Sequence, residues 1–104
     1  GNGSSNGTFV YTGFKPSWVI IKRTDTSDTW TVWDNKRVGY NSANYVIEAD
    51  NTNAEASSDR LDILSNGFKL GYNWTPINSS GGTYIYMAFG QSLVGTNNVP
   101  CTAR

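Results

Sequence analysis

The chain has 104 residues, enough for one domain that buries roughly two-thirds of its unfolded surface. Charged residues make up 15% and the formal net charge is zero, so no basic field is available for nucleic acid or anionic lipid. Histidine is absent and the one cysteine is Cys101, which excludes an internal disulfide, a structural zinc site and the commonest general base. The fold must therefore rest on packing, as suits a protein assembled in a reducing cytoplasm. No apolar run approaches the ~20 residues that span a bilayer. Residues 1–7 are Gly, Ser and Asn only, with nothing to bury, and read as a linker or junction. Thr8-Phe-Val-Tyr-Thr12 is a first short strand, with Phe9 and Tyr11 on one face and Val10 on the other. Gly13 to Pro16 turns the chain into the longest apolar run, Trp18-Val-Ile-Ile21. That run does not alternate, which predicts a central strand covered on both faces.

Residues 24–28, Thr-Asp-Thr-Ser-Asp, form a polar tip rich in turn formers. Beyond it Thr29-Trp-Thr-Val-Trp-Asp34 places Trp30 and Val32 on one face and Thr31 and Trp33 on the other, closing a hairpin. After a loop containing Gly39, Asn41 and Ser42 comes a strand at Tyr45-Val-Ile-Glu48. Residues 49–59 hold no large apolar group and read as an exposed loop. Asn66-Gly67 between Leu61-Asp-Ile-Leu64 and Phe68-Lys-Leu-Gly-Tyr72 is the strongest hairpin signal in the chain. Residues 73–82 form a second polar loop. The last strand is Thr83-Tyr-Ile-Tyr-Met-Ala-Phe89, with Tyr84 and Tyr86 on one face and Ile85, Met87 and Phe89 on the core face.

Seven short strands, frequent turn signals and no amphipathic 3.6-residue stripe predict an all-β antiparallel sandwich, with a small barrel as second choice. The domain division is a junction at 1–7, a module at 8–90, and a tail at 91–104. That tail carries Leu93, Val94 and Val99 and is expected to pack on the module or a neighbour.

Chemistry is sparse. Asp25 and Asp28 share a hairpin tip and read as turn residues rather than as the flanking acid pair of glycoside hydrolysis. Asp50, Asn51, Asn53 and Glu55 could offer oxygens to calcium, but lack the spaced Asp/Asn-x-Asp/Asn-Gly pattern. Neither a metal nor a cofactor is expected. Asn2, Asn6, Asn73 and Asn78 stand in Asn-x-Ser/Thr sequons, which in so Asn-rich a chain read as chance. Exposed rings beside amides are the usual means of holding a sugar, because the ring packs on C–H groups while polar neighbours take hydroxyls. Tyr40, Tyr72, Asn73 and Trp74 are the candidate ligand-binding residues on that ground. The alternative is that the rings cap the core.

Five blocks carry a resemblance: Phe9-Val-Tyr-Thr-Gly-Phe-Lys-Pro-Ser-Trp-Val-Ile-Ile-Lys-Arg23, Trp33-Asp-Asn-Lys-Arg37, Asn53-Ala-Glu-Ala56, Leu64-Ser-Asn-Gly-Phe-Lys-Leu70 and Asn78-Ser-Ser-Gly-Gly-Thr-Tyr-Ile-Tyr-Met-Ala-Phe89. In this order they resemble a module of tail-fibre and other virion-associated proteins of tailed bacteriophages, marine phages especially. The resemblance implies a lectin-like, concanavalin-type sandwich near the end of a fibre, sometimes in tandem through a Gly-Asn-Gly junction like Gly1-Asn2-Gly3. It implies a virion location after assembly in the host cytoplasm, with other copies, as a homotrimer, and adjacent virion proteins as partners. It brings no catalytic or ligand residues with it. The aromatic stretch from Gly71 to Pro76 departs from its relatives' short Arg/Ser/Thr/Gly segment. The expected role is non-enzymatic host attachment through surface polysaccharide. The alternative is a structural fibre spacer or particle-decorating domain, and a polysaccharide depolymerase ranks third.

Overall fold

A computed structural model describes residues 1–37, 41 and 45–91. The elements are β1 (Phe9–Tyr11), β2 (Lys15–Arg23), β3 (Trp30–Asp34), β4 (Tyr45–Glu48), β5 (Ala56–Ser57), β6 (Leu61–Leu64), β7 (Gly67–Leu70), the one-turn helix α1 (Thr75–Asn78) and β8 (Tyr84–Gln91). They form two antiparallel sheets, ordered β1-β7-β6 and β5-β4-β3-β2-β8. This is an all-β sandwich. Its core is Val19, Ile21, Trp33, Val46, Leu61, Ile63, Phe68, Leu70 and Ile77.

Both predicted hairpins form. Lys22 pairs with Trp30 across the polar tip, and Leu64 pairs with Gly67 across Ser65-Asn66. Gly67 therefore belongs to the strand, not to the turn. Its hydrogen faces β1, where an added Cβ would lie 2.0 Å from the Val10 carbonyl oxygen. Gly13, between β1 and β2, takes a φ of +80°, a conformation that favours glycine. The outer edge of β6 is closed by Asn41. Its amide donates to the Ile63 carbonyl at 2.8 Å and accepts from the Ile63 N–H at 2.9 Å, as a neighbouring strand would.

Residues 1–7 have no apolar side chain to bury and are held by hydrogen bonds instead. The hub is Asn78, fully buried at the end of α1. Its Nδ2 donates to Asn2 Oδ1, the Ser4 carbonyl and the Tyr72 carbonyl, while its Oδ1 accepts from the Asn2 N–H. A fully buried amide with these partners is closed to glycosylation in the folded chain.

Four expectations need correction. The loop at 49–59 contains β5, which pairs with β4 through Val46 and Ala56. The loop at 73–82 contains α1, started by Pro76 in its first turn, where a missing N–H costs least. In β8 the faces are reversed. Tyr84 and Ala88 pack against the core and Tyr86 meets Phe68 edge-on at 5.3 Å, whereas Ile85, Met87 and Phe89 are 53%, 56% and 55% exposed. Finally, β2 is covered on one face only among the described residues. Val19 and Ile21 are buried, while Trp18 and Ile20 lie on the outer face beside Phe89 and Met87. The reason is common to the last two. The three-stranded sheet covers one side of the five-stranded sheet, and no described element covers the other.

Candidate functional site

Tyr72, Asn73 and Trp74 are consecutive on the connection from β7 to α1. Trp74 caps the helix in an extended conformation, and its carbonyl accepts from the N–H groups of Ile77 and Asn78 at 3.0 and 2.8 Å. Its own N–H donates to the Tyr72 carbonyl at 3.1 Å, which tightens the loop into a single turn. The indole is half-buried against the core, and the Arg60 guanidinium lies 3.8 Å from its centroid. That distance is a close cation–π stack. Trp74 is therefore a wall of the site. The freely presented ring is Tyr72, 52% exposed, with Asn73 exposed beside it. Tyr40, the fourth candidate, lies outside the described residues.

Arg60 precedes β6, and its carbonyl accepts from Gly71 N–H at 2.8 Å, which fixes the Arg60 backbone beside the loop. Its Nε is buried and lacks a hydrogen-bond partner among the described residues. Burial pushes the guanidinium pKa down, with Tyr72 and Glu48 acting in the opposite sense. Arg23 and Arg37 are paired with carboxylates, at 2.7 Å to Asp25 and at 2.7 and 2.6 Å to Asp34 and Glu55. Arg60 makes no such ion pair among the described residues, and its guanidinium is instead stacked on the Trp74 ring. No sequence motif marks it; the Gly71 hydrogen bond to its carbonyl and its stacking on Trp74 bring it to the loop.

The carboxylates considered from the sequence are otherwise engaged. Asp25 is held by the Arg23 guanidinium, which keeps its pKa down at about 2. Asp28 Oδ1 accepts from the Thr29 N–H. The four residues of the calcium arrangement diverge. Asp50 accepts from the Thr29 hydroxyl and the Trp30 N–H, Glu55 binds Arg37, and Asn51 and Asn53 both donate to Glu48 Oε2. Among the described residues no group of three or more acidic, histidine or cysteine side chains is placed to hold a metal, and no helix is long and apolar enough to cross a membrane.

A second feature is a crevice of about 210 Å³ between the sheets, lined by Val10, Ile21, Phe68, Leu70, Ile77 and Tyr86 among others. It opens where β1 and β8 end the sandwich. Its walls are almost wholly apolar, and the nearby Tyr84 hydroxyl is occupied, donating to the Thr75 carbonyl and accepting from the Ser79 N–H. It offers volume without chemistry.

A family model described as a domain of unknown function, DUF7483, matches residues 1–92, almost nine-tenths of the chain. The chain belongs to the DUF7483 family. No curated protein and no solved structure matches it. The match spans both sheets, the Tyr72–Trp74 loop and Arg60, so the candidate site falls within the DUF7483 domain.

Proposed function

We propose that this DUF7483 domain is a non-enzymatic module of a phage virion, carried on a tail fibre, that attaches to a bacterial surface polysaccharide. The observation that carries the binding reading is the solvent-facing Tyr72 and Asn73 beside the Arg60 guanidinium, which stacks on Trp74 and has no carboxylate partner among the described residues. A phenol ring packs on sugar C–H groups, an amide takes hydroxyls, and a guanidinium without a carboxylate partner selects an acidic residue such as a uronate. The lectin-like sandwich and the virion context rest on the resemblance to tail-fibre modules. Single contacts of this size are weak, and repeated copies on a particle raise them by avidity.

Tyr72→Ala is the cleaner test than Trp74→Ala, because Trp74 also packs on the core while the Tyr72 side chain is half-exposed. The structural role of Tyr72 lies in its carbonyl, which any residue supplies. The variant is expected to unfold at the wild-type temperature and to bind acidic bacterial polysaccharide at least about tenfold more weakly. Wild-type affinity in the variant would remove this loop as the site.

A second reading, a structural spacer or particle-decorating domain, is favoured by the apolar outer face of the five-stranded sheet, which no described element covers. It predicts no saturable polysaccharide binding at any concentration.

A further inference from the structure

The outer face of the five-stranded sheet is built in three rows. Met87, Ile20, Val32 and Ile47 are register partners across the middle. Ile85, Lys22 and Trp30 form one flanking row, and Phe89, Trp18 and Asp34 the other. Trp18 and Phe89 pack at 5.5 Å between centroids. Five apolar side chains of these rows, Trp30, Ile47, Ile85, Met87 and Phe89, are 38–56% exposed and leave an apolar patch on the order of 500 Å², at the upper end of what a monomer ordinarily exposes. Strand residues that are apolar on both parities are what a doubly covered sheet requires.

We infer that this face packs against the same face of a second copy of the chain about a twofold axis. The charge pattern selects that occupant. Among the described residues, these rows hold one cation, Lys22, in one flanking row and one carboxylate, Asp34, in the other. Arg37 is shared between Asp34 and Glu55, so the Asp34 corner keeps a net negative charge. A twofold axis along the middle row lays each flanking row over the partner's opposite one. Lys22 then lies over the image of Trp18, offset sideways by one strand spacing, ~5 Å, from the image of Asp34 across the ~10 Å between packed sheets, a gap its long side chain can span. Met87, Ile20 and Val32 meet their own images. A neutral apolar field with self-complementary ends fits neither nucleic acid nor an acidic partner. The threefold grouping implied by the phage resemblance gives way here to a pair, and the inference does not depend on the saccharide reading.

Sedimentation of the full chain decides it. The wild type is expected to be a dimer at micromolar concentration, and Met87→Glu a monomer, its dissociation constant raised at least about 100-fold by a charge facing its own image. Met87 is the sole methionine and is 56% exposed on an edge strand, so the variant should keep the wild-type unfolding temperature. Peroxide oxidation of Met87 in the wild type is expected to be slow in the dimer and to speed up on dilution. A monomeric or trimeric wild type overturns the inference, as does a Met87→Glu variant that remains a dimer. A monomer whose Met87 resists peroxide would do so too, and would assign the face to residues 92–104.

Discussion

Asn78 shows how one side chain can stand in for a hydrophobic anchor. It ties residues 2–4, the Tyr72 carbonyl and the end of α1 together in a site with no water access. Replacing its donor nitrogen by an acceptor turns two carbonyl contacts repulsive and buries a charge, so Asn78→Asp should cost about 3–5 kcal/mol. The check is thermal unfolding, with a midpoint lower by at least about 10 °C. The charged residues make a second prediction. Asp25 has its pKa held down at about 2 by Arg23. Burial pushes Asp34 up, but the N–H groups of Arg37 and Lys36 and the Arg37 guanidinium outweigh it and leave it lowered. A depressed carboxylate stabilises the fold fully above its unfolded value and loses that contribution as pH falls through its folded one. With no histidine, the unfolding midpoint should be flat from about pH 5 to 7 and decline from about pH 4 down to about 2. A midpoint that changes steeply near pH 6 would contradict this.

At the scale of elements, the strands that alternate cleanly were legible. In β1 and β3 the face assignments hold, with Val10, Thr31 and Trp33 inward, and β4 has the predicted bounds. The β8 faces were not legible, because Tyr-Ile-Tyr-Met-Ala-Phe is apolar on both parities and hydropathy alone prefers Ile, Met and Phe inside. What decides the orientation is non-local: the Tyr84 hydroxyl finds Thr75 and Ser79, and Tyr86 finds Phe68. β5 and α1 are too short to carry a period, and Ile77 is the only large apolar side chain in α1. In the candidate site, Tyr72, Asn73 and Trp74 were singled out by their aromatic and amide character and lie on one loop, while Arg60, which the structure stacks on Trp74, has no such signal because it comes from another strand's approach. Gly67 offers a prediction at this scale. Its Cβ position lies 2.0 Å from the Val10 carbonyl oxygen, so Gly67→Ala must push β1 from β7. A loss of about 2 kcal/mol or more is expected in denaturant unfolding, where a turn glycine with positive φ and free space would cost about 1 kcal/mol.

Among the described residues, one sheet has two apolar faces and the second sheet covers one of them. The continuous run in β2 therefore supplies part of the outer apolar face as well as part of the core. The loop bearing Tyr72 leaves β7 in the covering sheet, whereas the bare face belongs to the other sheet. Pairing through that face and binding through the loop are therefore separable by mutation. Met87→Glu should lower apparent affinity for a polysaccharide-bearing surface through lost avidity, and leave the affinity of a single site for a short oligosaccharide unchanged. Equal losses in both assays would contradict that separation.

The most direct test of the attachment role is binding of the labelled chain to a panel of bacterial strains, with each strain's purified surface polysaccharide as competitor. The predicted result is saturable binding to one strain, abolished by that strain's own acidic polysaccharide and weakened by Tyr72→Ala. Binding to no strain at any concentration or valency would contradict it and leave the module a structural part of the particle.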